Sequence, residues 1–175
     1  MQWAEPVRSG LPVRAVGELV DCDALVEKYE ARLKAFAMNN EDCKRLQKIP
    51  GVGPLTASAI VAHVGTAKHF KNGRAFAACL GLTPREHSSG GKQKLLGISK
   101  RGNCQIRWLL IQGARIVTRY SLQKLAEQNE QRIRWVQELV ERRGKHIAAV
   151  ALANKTARII WALLARGEEY RASVA

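Results

Sequence analysis

Ile49-Pro50-Gly51-Val52-Gly53-Pro54 is the stretch on which the fold turns. Leu46 and Ile49 precede the glycines at helical spacing, and Thr56-Ala57 and the apolar pair Ile60-Val61 follow them. Two short helices joined by a tight turn, a helix-hairpin-helix, are the expectation. Glycine suits positions 51 and 53 for two reasons. A tight turn needs backbone conformations that side chains disfavour, and amides with no Cβ beside them can approach a phosphate. Pro54 fits the first turn of the second helix, whose positive dipole end then faces an anion. An ordinary αα-turn uses glycine in the same way, so the hairpin needs support from elsewhere.

Charge supplies part of that support. Residues 49 to 120 hold eleven Lys or Arg and one acid, Glu86, which is most of the chain's net charge of +14. A polyanionic partner is implied, although a solvated basic surface gives the same count. Chain length, 175 residues with 46% hydrophobic, suits one compact domain or a domain with an appended arm. No apolar run approaches the roughly 20 residues needed to span a bilayer. Met1-Gln2-Trp3-Ala4-Glu5-Pro6 is no secretory leader, so a cytoplasmic chain is expected. Cys22, Cys43, Cys79 and Cys104 are widely spaced, and no histidine pair stands at ligand spacing. They read as reduced, mostly buried thiols rather than a metal site.

The periodicity predicts a mainly all-α fold. Pro6, Gly10, Pro12 and Gly17 make residues 1–18 a loose leader. Over 19–40 the apolar positions Leu19, Cys22, Val26, Tyr29, Leu33 and Phe36 alternate three and four apart with charges between them. That is the seam of an amphipathic helix, which either packs on its own domain or pairs with another chain. Asn39 and Asn40 stop it, and a short helix over 41–48 turns Leu46 and Ile49 inward.

Residues 41–120 form the hairpin domain, with helices over 54–64 and 73–80 closed by Gly65 and Gly81. Thr83-Pro84-Arg85-Glu86-His87-Ser88-Ser89-Gly90-Gly91-Lys92 breaks all periodicity, and 95–99 is a short strand or turn. Asn103 caps a helix over 103–119. The remainder, 121–175, is C-terminal helices packed on this domain. Leu122-Gln123-Lys124-Leu125 ends a helix or turns, and helices run over 132–141 and 145–164. In the last, Ile147, Val150, Ala151, Ala157, Ile160, Trp161 and Leu164 make the apolar face, while Asn154 and Lys155 either contact a nucleic-acid backbone or, the reading preferred, lie on a solvated face. Residues 168–175 are a frayed end.

Ser88-Ser89-Gly90-Gly91-Lys92 partly fits serine chemistry on a phosphate. A serine nucleophile needs an exposed loop, close backbone approach from glycines and cations that stabilise charge on phosphorus. Gly90, Gly91, Lys92, Arg85 and Lys100 fit those needs. Taken without its flanks, Ser-Ser-Gly-Gly reads instead as a flexible linker.

Those flanks carry a specific resemblance. The hairpin, Gly81-Leu82-Thr83-Pro84-Arg85, Ser88-Ser89-Gly90-Gly91-Lys92, Gly97-Ile98-Ser99-Lys100-Arg101-Gly102, Arg107 and Leu110 occur in the order and spacing of one family. The chain resembles the C-terminal domain of serine-dependent insertion-sequence transposases of the one-ten/eleven-eleven group, some of which are guided by a bridge RNA. Arg143-Gly144-Lys145, Ala151-Leu152-Ala153-Asn154-Lys155, Ala157-Arg158 and Trp161 resemble that domain's end.

The resemblance implies DNA strand cleavage and rejoining through a phosphoserine ester, with Ser89 or Ser88 as nucleophile and Ser89 favoured slightly by its place next to Gly90. Implied DNA contacts are Gly51, Gly53, Thr56, Arg85, Lys92, Lys100, Arg101 and Arg107. Mg²⁺ would belong to a separate acidic RNase H-like domain, which these 175 residues do not resemble. That difference makes the chain an expected fragment, late-start product or decayed copy. Its partners would be DNA, a guide RNA, or further copies including full-length transposase. The alternatives are a non-catalytic DNA-binding module and a truncated regulator that pairs through the 19–40 seam.

Overall fold

The computed structural model describes residues 13–92, 94–123 and 131–171. Seven helices and one two-stranded sheet occur among them: α1 (Val13–Asn39), α2 (Glu41–Gln47), α3 (Pro54–Val64), α4 (Gly73–Cys79), β1 (Pro84–Glu86), β2 (Leu95–Ile98), α5 (Cys104–Gln123), α6 (Gln131–Arg143) and α7 (Lys145–Arg166). The mainly all-α architecture is as expected. Most of the leader (1–12), the Lys124-Leu125 end and residues 172–175 lie outside the described residues.

Helix α7 is the axis of the core. Ala148, Ala149, Leu152, Ala153, Thr156, Ala157, Ile160, Leu163 and Leu164 are buried along it. The alanines let α4, α5 and α6 approach closely. Gly73 at the start of α4 meets the backbone of Arg158, where an added Cβ would come within 3.1 Å. This buried face is rotated from the expected one, for Ile147 is more than half exposed. By length and composition α7 could cross a membrane, contrary to the expectation that no segment approaches this. Its apolar length is used here to pack against the other helices.

Helix α1 contrasts with it. It begins at Val13, earlier than the leader reading allowed, and packs on α2 and α3, with Ala37 buried near its C-terminal end. Leu19, Val26, Tyr29 and Phe36 of the seam are exposed and Leu33 is half-buried. Asn40 caps α2 by accepting from the Cys43 N–H at 3.0 Å. Burial pushes the Cys43 thiol up. The other three cysteines are exposed, which corrects the expectation that most are buried.

The turn after α2 docks on α5. Gly51 has φ 87°, and a Cβ there would lie 2.9 Å from the Gly113 carbonyl oxygen. From the other side, a Cβ on Gly113 would lie 1.9 Å from the Gly51 oxygen. Two glycines are therefore needed to bring this turn and α5 backbone to backbone.

Candidate nucleic-acid interface

The serine segment is not a loop without structure. Pro84–Glu86 pairs antiparallel with Leu95–Ile98, Pro84 opposite Ile98 and Glu86 opposite Leu95. Two steps along β1 face three along β2, so β2 carries a bulge at its Leu96-Gly97 portion. Pairing continues outward: the His87 N–H donates to the Lys94 carbonyl at 2.9 Å, and Ser89 bridges Lys92. Gly90 (φ 59°) and Gly91 (φ 76°) form the two-residue tip, closed by the Lys92 N–H donating to the Ser89 carbonyl at 3.1 Å. Positive φ at both central residues is what a type I′ hairpin demands. Three exposed residues starting with proline give no alternating pattern, so β1 was not expected.

Ser88 and Ser89 sit two residues and one residue before that tip, and both are exposed. Their surroundings differ. The Ser88 Oγ–H donates to Glu86 Oε1 at 2.6 Å, and the Lys94 N–H donates to Ser88 Oγ at 3.4 Å. Ser89 is held through its backbone by the bridge to Lys92. Glu86 stood out in sequence only as the one acid of residues 49–120; its partnership with Ser88 could not be read from a two-residue spacing.

The cations expected near the serines divide into two groups. Arg85, Lys92, Lys100 and Arg101 are exposed, and Lys94 joins them. Among the described residues none of these five is in an ion pair; the ion pairs there lie outside 49–120. Lys100 has φ 57°, unusual for a side-chain-bearing residue, because its loop is pressed on the end of α4. A Cβ at Gly102 would lie 1.7 Å from the Cys79 carbonyl oxygen.

Arg107 belongs elsewhere. Its Nη1 donates to the carbonyls of Leu80 and Arg101, both at 3.0 Å, so it ties α5 to the α4 end rather than presenting charge outward. Thr56, another expected contact, is 6% exposed and packs inside. Asn154 and Lys155 are not on a solvated face either. The Asn154 amide donates to the Leu82 carbonyl at 3.1 Å, beneath the hairpin, and the Lys155 ammonium lies 4.8 Å from the Trp135 ring centroid.

At the other turn, Gly53 precedes Pro54, the first residue of α3, with extended backbone (φ −90°, ψ 178°) and no side-chain cap. A Cβ at Gly53 would meet nothing within 4 Å. The helix start is thus open, but the conformation does not require glycine, which corrects the argument for position 53. Asn103 caps α5 as expected, accepting from the Ile106 N–H at 2.9 Å, and its amide touches His63 Nε2 at 2.9 Å. Among the described residues no three His, Cys, Asp or Glu side chains converge as a metal site.

Residues 43–130 match the model of the transposase IS116/IS110/IS902 family. The chain is 52% identical over 154 residues to the transposase for insertion sequence element IS1111A of Coxiella burnetii, covering 88% of this chain and 41% of that protein. It is 47% identical over 154 residues to a probable family 20 transposase of Pseudomonas aeruginosa, covering 88% and 44%. A third relative, the transposase for insertion sequence element IS1328 of Yersinia enterocolitica, is 40% identical over 142 residues, covering 81% and 41%. The chain spans about two fifths of the length of these curated relatives. With the two turns and the helix that follows them inside the matched residues, the chain belongs to the transposase IS116/IS110/IS902 family.

Proposed function

We propose that this chain is the DNA-gripping, serine-bearing part of a transposase, which cuts and rejoins DNA through a phosphoserine ester. One observation carries the reading: two exposed serines sit on a paired hairpin that is accompanied by five exposed cations, none of them with an ion-pair partner among the described residues. Such cations bind phosphates and stabilise charge developing on phosphorus. In the cleavage step a serine Oγ bonds to phosphorus, one sugar oxygen leaves and takes a proton, and the broken strand stays attached through the new ester. Attack by another sugar hydroxyl releases the serine and rejoins DNA.

Glu86 gives Ser88 an acceptor for its proton at 2.6 Å. Ser89, one residue nearer the tip, is the other candidate. Glu86 is the one carboxylate of this segment, and a magnesium site takes several. A Mg²⁺-binding acidic domain, a guide RNA and cytoplasmic residence are further parts of the proposal, supported by the family alone.

The test is trapping of a covalent protein–DNA adduct on nicked insertion-sequence ends, with the acidic domain supplied. Ser88→Ala and Ser89→Ala are compared. Loss in one variant identifies the nucleophile, whereas adducts in the double variant would sink the serine mechanism.

A second reading rests on α1. Its uncovered seam favours pairing with another copy, including full-length transposase. Val26→Lys with Leu33→Lys would then leave the chain monomeric in sedimentation while DNA binding persists. Unchanged sedimentation would refute the seam.

A further inference from the structure

Behind the serine hairpin lies a groove of about 730 Å³ between the sheet and the α6–α7 corner. Leu82, Leu96, Ile98 and Val150 give it an apolar lining. Leu95, Leu96 and Ile147 stay exposed at 58%, 38% and 54%, although each lies against it. Three side chains able to meet an anion also line it: Arg143, His146 and Arg158. All three are exposed, and none has an acidic partner among the described residues. Trp135 adds an aromatic surface.

We propose that this groove holds an unpaired stretch of nucleic acid next to the strand being cut, a subsite that rests on the function proposed above. The chemistry selects the occupant. A duplex keeps its bases stacked inside and shows phosphates outward, so it has nothing to place on Leu95, Leu96 or Ile147. A single strand offers both parts at once, with flat apolar bases for the lining and phosphates for the two guanidinium groups.

Position supports the same choice. Pro84 and all of β2 form one wall, so the groove is continuous with the strands that carry the serines. Ser88 and Ser89 lie four and five residues beyond Pro84, roughly 13–17 Å at about 3.3 Å per residue. A strand bound at the groove therefore reaches the hydroxyls without crossing the core. Asn154 fixes the floor beneath by its bond to Leu82.

The experiment measures binding of the whole chain to an unstructured oligothymidine of about 8 nucleotides, and to a blunt duplex, across a salt series. Arg143→Gln/Arg158→Gln and, separately, Leu96→Glu are the variants, each checked by thermal melting. Oligothymidine affinity is expected to fall about tenfold or more in both variants, with duplex affinity within twofold of wild type. In the arginine variant the slope of log affinity against log salt is expected to drop by roughly 1.4, at about 0.7 for each phosphate no longer neutralised.

Equal losses for duplex and oligothymidine would reduce the groove to general charge and overturn the proposal. So would oligothymidine binding indifferent to both variants, or wild type that fails to bind it while binding a peptide of residues 13–39. The last result would make the groove a dock for a helix. Failure of the serine chemistry reads out separately, as absent adducts with variant-sensitive oligothymidine binding intact.

Discussion

Two turns in this molecule are built from glycine, and they use it in opposite ways. At Gly51 the missing side chain faces inward: the Cβ position is occupied by the backbone of Gly113 and the side chain of Val117. At Gly90 and Gly91 a Cβ would meet nothing within 4 Å. The first turn needs glycine so that two backbones can touch, and the second so that the chain can reverse in two residues while staying open to solvent. Both are Gly-rich and flanked by cations in sequence, yet one belongs to the packed frame and the other to the working surface. Weaker DNA binding on substituting Gly51 would therefore report unfolding before it reported any change at a phosphate.

The sharpest way to break this contrast is Gly113→Ala. In an open helix that change stabilises by about 1 kcal/mol. Here the new methyl would stand 1.9 Å from the Gly51 oxygen, so α5 and the turn must separate. The expected result is a loss of about 3 kcal/mol, roughly 6–12 °C in melting temperature for a chain of this size. A melting temperature at or above wild type would mean the two backbones do not touch.

Arg107→Gln tests how far the packed frame extends toward the serine hairpin. Its guanidinium serves two carbonyls, one at the end of α4 and one in the loop that carries Lys100 and Arg101. Losing a charged donor from both is expected to cost about 2 kcal/mol by denaturant unfolding. If Arg107 instead bound a phosphate, stability would hold and only the salt slope of DNA binding would fall, by roughly 0.9.

How far the sequence could be read follows the same division. Where a local rule decides the structure, it was legible: Asn40 and Asn103 cap helices, Pro54 opens α3, and Gly65 and Gly81 end α3 and the α4 segment. Where two distant segments decide it, it was not. Nothing near Gly51 announces Gly113, and Arg107 and Thr56 look like surface residues until α4 and the core are placed against them. The face of α7 was misjudged because its alanines, not its larger residues, set the close approach. Of the candidate site, the cations and serines were visible as a cluster in sequence. The strand β1, the Glu86–Ser88 bond and the groove arise only once the hairpin folds back and lies over α7.

Gly90→Ala with Gly91→Ala approaches the comparison from its open side. Each alanine must adopt a left-handed conformation, a local strain of about 1–2 kcal/mol. No core packing depends on the tip, so the hairpin opens by itself and the global melting temperature is expected to move by no more than about 2 °C. Hydrogen exchange at the Lys92 amide, which closes the tip, should accelerate, and adduct formation should fall. A large drop in melting temperature would show that the tip is part of the frame after all.

The smallest effect belongs to the outer side of the packed turn, where the Lys48 ammonium meets the Glu169 carboxylate from the C-terminal segment and Arg45 lies 3.9 Å from it. Nearby, Arg132 donates to the Pro50 carbonyl at 3.1 Å and to the Tyr170 hydroxyl at 2.9 Å, so that segment braces the turn from outside. The hydrogen bond from Lys48, reinforced by its charge, holds the Glu169 carboxyl below its ordinary value of 4.5. A carboxyl lowered by folding stabilises the folded state above its unfolded value, and that contribution disappears as pH falls through the lowered folded value. Wild type should therefore melt slightly above Glu169→Gln at neutral pH, by the small margin usual for exposed pairs, and the two curves should begin to converge below pH 4.5 and meet only below the lowered folded value. A gap that persists in acid would assign the difference to packing of the segment rather than to its charge. Convergence would confine Glu169 to bracing, leaving the close approach of Gly51 and Gly113 as what holds the turn.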